Sequence, residues 1–405
     1  MRPVIRSLPL EGSGFSPQSL SSPTFAWMHG DFSLRGFGEA WRFDPGVGKG
    51  RFSRARHAWE NWLSGAQVDD RVGETGAGPV GFASFTFDPK APGSVVAAPQ
   101  IVVGRNGAHG WITTVGDADP ARFEAVLPTE DSPDRPRYLG PTSPDWQWMD
   151  SVARAVALIE AGHLKKVVLA RDVKVWSKSP FDMKLLLERL HRAFPECFTF
   201  LVAGLVGASP ELLLRQEKGT VESVALAGTA PRHADPVRDE RLARGLLASE
   251  KNLHEHELTV ESVEDGLAQV CSQLSRDAVP TLRELEDLRH LSTAFAGVLA
   301  EPSSCFDALE HLHPTAAVGG VPRRAALDAI RQLEGVERAG YAGPVGWFDQ
   351  HGDGEWAIAL RCAELMDTGA RLFAGAGIVA GSLPEEELAE TRLKLRAMTD
   401  ALDLR

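Results

Sequence analysis

Residues 254–257 read His-Glu-His-Glu within SEKNLHEHELTVESVEDG, a density of potential metal ligands that invites a zinc reading. Zinc held from one helix needs histidines at i and i+4, because each residue turns the chain by about 100°. On a helix His254 and His256 stand about 200° apart, and the residue four after His254 is Leu258. Zinc therefore fails on spacing. His256 falls within a stripe formed by Leu246, Leu253, Val260, Val263, Leu267, Val270 and Leu274, so it reads as a core histidine with a hydrogen-bond partner. Glu255 points off that stripe, toward the face of Lys251, Leu258 and Ser262. By spacing alone it is a solvated carboxylate.

The stripe predicts one long helix from about Pro236 to Leu274. Ahead of it, Ser143 as N-cap and Pro144 at the first helical position open a helix carrying Trp148, Val152, Ala155, Val156 and Ile159, closed by Gly162. KKVVLARDVKVW (165–176) is a β-branched strand, CFTFLVAGLVGASPELLLR (197–215) gives two more, and GTVESVALAGTAPR (219–232) is another with a glycine-containing turn. PRRAALDAIRQLEGVE (322–337) predicts a helix; strands GPVGWFD, WAIALRCAEL and ARLFAGAG follow, then a last helix PEEELAETRLKLRAMTDAL. Residues 1–140 form a β-rich part of short strands, with Asn106-Gly107 as a hairpin turn and a Pro- and Asp-dense connector at 117–144. Strands and helices mix without strict alternation, which favours α+β or layered α/β over a doubly wound sheet. Residues 141–405 form the second region, and the two are expected to make one integrated domain.

Composition narrows the function classes. The chain has 405 residues, 43% of them hydrophobic, and a formal net charge of −12 without any long Lys/Arg block. Such a surface is not expected to partner nucleic acid or a membrane. No apolar run reaches membrane-span length, Arg6 and Pro9 interrupt the N-terminal stretch before it resembles a signal peptide, and cytoplasm is the default placement. Cys197, Cys271, Cys305 and Cys362 are scattered without a CxxC pair and read as reduced, packing thiols.

Seven blocks carry more information together. KVVLAR (166–171), GASPELLLR (207–215), ALAGTAPR (225–232), LLASEKNLHEHEL (246–258), LHPTAAVGGVPRRAAL (312–327), YAGPVGWFDQHGDGEWAIALRCAEL (341–365) and LFAGAGIVAGSLPEEELAETRLKL (372–395) resemble, in this order, the signature blocks of the chorismate-utilising enzymes. Among these the chain most resembles isochorismate synthases. The resemblance implies a two-sheet β core with helices outside, a cleft between the halves, chorismate as substrate and Mg2+ as cofactor. Glu255 and Glu390 match the family's Mg2+ ligands, 135 positions apart (390 − 255), so only the folded chain could join them. Three residues before Glu255, where the family often has a further acid, this chain has Asn252.

Isochorismate formation adds water at C2 of the ring and expels the C4 hydroxyl, which requires a base and an acid. The resemblance makes Lys166 the general base and Glu211 the general acid. A free lysine titrates near 10.4, leaving about one in 2,000 neutral at pH 7, so its surroundings must favour the amine while apolar burial keeps Glu211 protonated. Lys165, next along the strand, faces the other way. For the chorismate dianion the resemblance assigns Gly228 and Thr229 to the ring carboxylate beside Mg2+, and Arg361 to the enolpyruvyl carboxylate as a bidentate fork. Gly375 and Gly377 offer backbone N–H groups where a side chain would obstruct. Lys394 adds charge near the metal, and His290 lies near the ring, although Arg289 replaces a usual tryptophan. Lysine at 166 and Ala227 depart from the ammonia-using relatives, so water is the nucleophile and no obligatory glutaminase partner is expected. Salicylate synthases, which go on to eliminate pyruvate, are the nearest alternative; they tend to carry threonine where Ala317 stands. A non-catalytic scaffold relative would have lost some of these groups, and none is lost. The product would feed menaquinone or siderophore biosynthesis.

Overall fold

The computed structural model describes residues 3–11, 20–123, 135–286 and 288–404; residues 124–134 of the predicted connector lie outside them. Two large sheets, one of 13 strands and one of 10, form the β core. Both draw on the N-terminal region: Phe25–His29 and Phe32–Phe37 lie in the larger sheet, and Val80–Ser84 and Val95–Ala98 in the smaller. The facing side chains are apolar and fully buried, among them Phe25, Trp27, Phe82, Phe200, Trp347 and Trp356, as two sheets stacked over one core require.

Eight helices occur among the described residues: α1 (Arg51–Ser64), α2 (Asp145–Glu160), α3 (Met183–Ala193), α4 (Pro236–Ala248), α5 (Glu250–Leu267), α6 (Cys305–Leu312), α7 (Arg323–Leu333) and α8 (Pro384–Ala401). The predicted helix 236–274 is in fact α4, α5 and a strand, Cys271–Arg276. Ser249 divides the first two, since its extended backbone ends α4 and its hydroxyl caps α5 by accepting from the Asn252 N–H. Helix α2 starts one residue later than predicted, with Pro144 as N-cap and no side-chain cap. Helices α1, α3 and α6 were not anticipated from the sequence.

The strands also refine the prediction. Residues 197–215 contribute to three strands, Phe198–Val202, Leu205–Ser209 and Leu212–Glu217. Thr220–Pro231 is continuous, and the glycine expected to turn it, Gly228 (φ 73°), instead makes a bulge between Ala227 and Thr229. WAIALRCAEL is broken into Gly354–Ile358 and Cys362–Met366, which belong to different sheets.

Candidate active site

Two crossings between the sheets build one wall. Leu205–Ser209 lies in the larger sheet and Leu212–Glu217 in the smaller, so Pro210 and Glu211 alone make the step. The chain steps back at Ala359, Leu360 and Arg361, where Arg361 takes a left-handed φ of 46°. The crossings are laced together: Ser209 Oγ donates to the Ile358 carbonyl at 2.6 Å, and the Ile358 N–H donates to the Glu211 carbonyl at 3.2 Å. The Ala208 N–H donates to the Arg361 carbonyl at 3.2 Å. Glu211 and Arg361 are therefore placed by the points where the chain changes sheets, and both line one cleft.

The other walls come from the bulged strand Thr220–Pro231, its neighbour Leu288–Leu299, strand Gly369–Ile378 and helices α5 and α8. Ten of the eleven residues singled out in the sequence line the cleft: Glu211, Gly228, Thr229, Glu255, His290, Arg361, Gly375, Gly377, Glu390 and Lys394. Lys166 is the exception. It is fully buried directly behind the wall, with Nζ 3.0 Å from Glu255 Oε1 and donating to Thr259 Oγ1 at 3.1 Å. A Cβ on Gly377 would collide with Glu255 Oε1, so glycine is needed there for the carboxylate to reach the lysine. Lys165 is exposed, on the opposite face.

Burial shifts the protonation of two site groups in the cleft, Glu211 and His290. It pushes the Glu211 carboxyl up to about 8, against the opposing pull of Lys166 and Lys394. It pushes His290 down to about 3, helped by Arg361 and Lys394, so the ring is neutral; its Nδ1 meets Thr229 Oγ1 at 3.1 Å. Lys394 Nζ lies 2.6 Å from Glu390 Oε1 and donates to the Gly375 carbonyl at 2.9 Å. The Arg361 guanidinium sits 5.8 Å from the Phe194 ring centroid.

The opening motif divides as spacing predicts for His256 and as the family resemblance, not spacing, predicts for Glu255. His256 is buried and meets Thr293 Oγ1 at 2.8 Å through Nε2, His254 is exposed, and Glu257 faces Arg276 at 3.6 Å. Glu255 alone enters the cleft. Asn252 does not line it, since its side-chain amide donates to Ser249 Oγ at 2.9 Å. Arg289, in place of tryptophan, is buried in an ion pair with Asp239 at 2.6 Å.

Three residues were missed from sequence. Thr259, the partner of Lys166, is four residues after Glu255 and shares its helical face; Leu258, which helical spacing puts toward that face, is buried in the core. Glu387 is buried one turn before Glu390; burial pushes its carboxyl up, and repulsion from Glu390 and Glu255 adds to this. Tyr341 lines the cleft, stacked on Phe373 with centroids 5.2 Å apart, and only its place in a β-prone block marked it.

The comparisons with known proteins agree with this geometry. Residues 123–403 match the family described as chorismate binding enzyme. The chain belongs to that family. This chorismate-binding enzyme is 32% identical to isochorismate synthase MenF of Bacillus subtilis over 382 residues, 87% of this chain and 81% of that one. It is 34% identical to the salicylate biosynthesis isochorismate synthase of Pseudomonas aeruginosa, over 94% of this chain and 85% of the relative. The solved structure of the menaquinone-specific isochorismate synthase of Escherichia coli shares its fold, with a TM-score of 0.81 at 24% identity, covering 100% of this chain and 95% of that one.

Among the described residues no three His, Cys, Asp or Glu side chains converge into a ready-made metal cage. Glu255 and Glu390 both offer carboxylates to the cleft, and Glu387 lies near enough to feel the charge of each. Two carboxylates of hard oxygen donors fit Mg2+, which keeps several waters and takes its remaining ligands from substrate.

Proposed function

We propose that the enzyme is an isochorismate synthase, which isomerises chorismate to isochorismate by water addition at C2 and loss of the C4 hydroxyl. The family match and the named relatives support the reaction. The observation that carries the chemistry is a buried carboxyl held near 8 at the sheet crossing, in the same site as a buried lysine.

Lys166 acts as the base. It lies behind the wall made by Glu255 and Gly377 and takes the proton that the attacking water gives up as its oxygen bonds to C2. Both ring double bonds shift by one position, C1=C2 to C1=C6 and C5=C6 to C4=C5, and the C4–O bond breaks. Glu211, protonated at neutral pH, gives its proton to the departing hydroxyl, which leaves as water. A final proton exchange with solvent resets both groups. Arg361 holds the enolpyruvyl carboxylate, and the Gly228, Thr229, Gly375 and Gly377 backbone lets the ring approach closely. Neutral His290, oriented by Thr229, packs at the ring without adding charge. Glu255 and Glu390 would hold Mg2+, whose charge would neutralise the ring carboxylate.

The stand-alone synthase names of the relatives support activity without a glutaminase subunit and a product that feeds menaquinone or siderophore biosynthesis. Among the described residues no helix is long and apolar enough to cross a membrane. Purified protein incubated with chorismate and Mg2+ is expected to yield isochorismate with no pyruvate by chromatography. Salicylate with pyruvate would make it a salicylate synthase, and absence of turnover would sink the assignment.

A further inference from the structure

A second cleft of about 700 Å³ opens among the start of α1, residues 89–90, the end of α6 and the start of α7. Its lining carries six cations, Lys49, Arg51, Lys90, Arg323, Arg324 and Arg331, against two carboxylates, Glu310 and Asp328. That concentration is out of character for a chain of net charge −12.

Some of these charges are already engaged. Arg331 pairs with Asp88 at 2.6 Å and Asp328 at 2.9 Å, and Arg323 donates to the carbonyls of His311 and Leu312. Lys49 and Arg324 have no ion-pair partner among the described residues. Arg51 is the most unusual. It is 2% exposed, its side-chain hydrogen bond goes to Thr86 Oγ1 at 2.8 Å, and its guanidinium lies against the rings of Phe52 and Phe85. Asp88 and Glu310 act on it only from beyond ion-pair distance, and burial pushes its pKa down to about 10. A buried guanidinium without a carboxylate partner is costly unless a counter-charge arrives.

The helices add to the imbalance. Arg51 opens α1, and Arg323 and Arg324 open α7; neither first turn contains an acid. At the start of α1 the Glu310 carboxylate already accepts from the N-cap Gly50 N–H at 3.1 Å, whereas at α7 the first-turn cations oppose the dipole and leave its N–H groups for an anion. The start of α7, a buried arginine and two exposed cations, none of these three cations with an ion-pair partner among the described residues, thus face the same space.

One segment joins this cleft to the active site. His313 and Pro314 line the basic cleft, and Ala317 and Val318, a few residues on, line the chorismate cleft. His313 is tied to the basic side by its Nε2 contact with the Phe87 carbonyl at 2.9 Å and by ring contacts with Phe52 and Phe87.

We propose that the basic cleft is a regulatory site for a small anion bearing a phosphate or carboxylate group, and that occupancy is transmitted to the active site through residues 313–318. Binding is tested without chorismate or Mg2+, so its result does not depend on the isochorismate synthase reading. Isothermal titration at low ionic strength with inorganic phosphate, and separately with succinate, is expected to show one saturable site for at least one of them. The anion that binds identifies the chemistry. The double variant K49E/R324E, altered only at exposed positions, is expected to bind about tenfold or more weakly while turning over chorismate normally in the absence of the anion. With free Mg2+ held constant, saturating anion is expected to change the KM or kcat for chorismate at least about twofold in the wild type only. No binding, or equal binding by the variant, overturns the site. A kinetic effect that persists in the variant places the anion in the chorismate cleft and overturns the proposal, and binding without kinetic effect overturns the coupling.

Discussion

Two buried cation–carboxylate pairs are built around strand Lys166–Trp176, and they are finished to different degrees. Arg338 and Glu334, both nearly inaccessible, meet at 2.6 Å. Arg338 also donates to the carbonyls of Val318 and Val168 at 2.8 Å, and Glu334 accepts from the Ala170 N–H. This pair fills a gap in the sheet: one edge of the strand is paired with Gly320–Val321 at residues 166–167 and with Arg137–Pro141 from 173 onward, and the two side chains serve the backbone between. The pair Lys166–Glu255 is left open. Lys166 has two partners, Glu255 and Thr259, and Glu255 also faces the cleft. A saturated pair fixes a backbone; an unsaturated one keeps capacity for a proton, a substrate or a metal.

The largest expected effect tests the open pair. Lys166→Ala should lower kcat by about 10²–10⁴, the range of a lost general base, while calorimetry still detects chorismate binding. A variant that keeps wild-type turnover removes Lys166 as the base. The closed pair should respond in stability. Arg338→Met leaves Glu334 buried without its partner, at a cost of about 3–5 kcal/mol in denaturant melts, and Arg338→Met with Glu334→Gln should recover part of that loss. A single variant as stable as the wild type would show that the pair is not what holds the strand gap.

Which of these features could be read beforehand follows from how local they are. The core role of His256 and the failure of zinc at 254–257 came from helical spacing alone. The division of 236–274 had a local sign too, Ser249 as a cap, but the unbroken stripe through Leu246 and Leu253 concealed it. Arg361 had no such sign. WAIALRCAEL is β-prone throughout, and nothing in its residue types marks the left-handed step that sends its halves to different sheets. Glu211 likewise carries meaning only because the neighbouring crossing supports it across 150 residues of chain (361 − 211). The family resemblance supplied those residues because it records tertiary placement, which periodicity does not. It did not flag Glu387 or Thr259, although each is one helical turn from a residue it named.

A smaller effect separates Glu211 from the pairs, because Glu211 has no ion-pair partner among the described residues and is held protonated mainly by burial. Its carboxyl is raised to about 8, so the acid form predominates below that pH and is lost as pH rises through it. The rate should therefore fall by about tenfold per unit well above pH 8. A pH–rate profile flat to pH 10 would show that no proton from this group is used in the rate-limiting step. The residual activity of Glu211→Gln should lack this limb.

The smallest expected effect tests whether the comparison depends on facing rather than on residue type. Lys165 and Lys166 are adjacent lysines, but strand alternation sends one to solvent and the other to Glu255. Lys165→Ala removes a charge from the exposed face without unpairing a buried group, so stability should stay within about 0.5 kcal/mol and turnover should be unchanged. If Lys165→Ala instead lowered kcat as Lys166→Ala does, general electrostatic support of the dianion would account for both lysines, and the distinction between the open pair and its surroundings would fall. If it is silent, the same charge one residue away is shown to be worth nothing without the carboxylate and the cleft behind it.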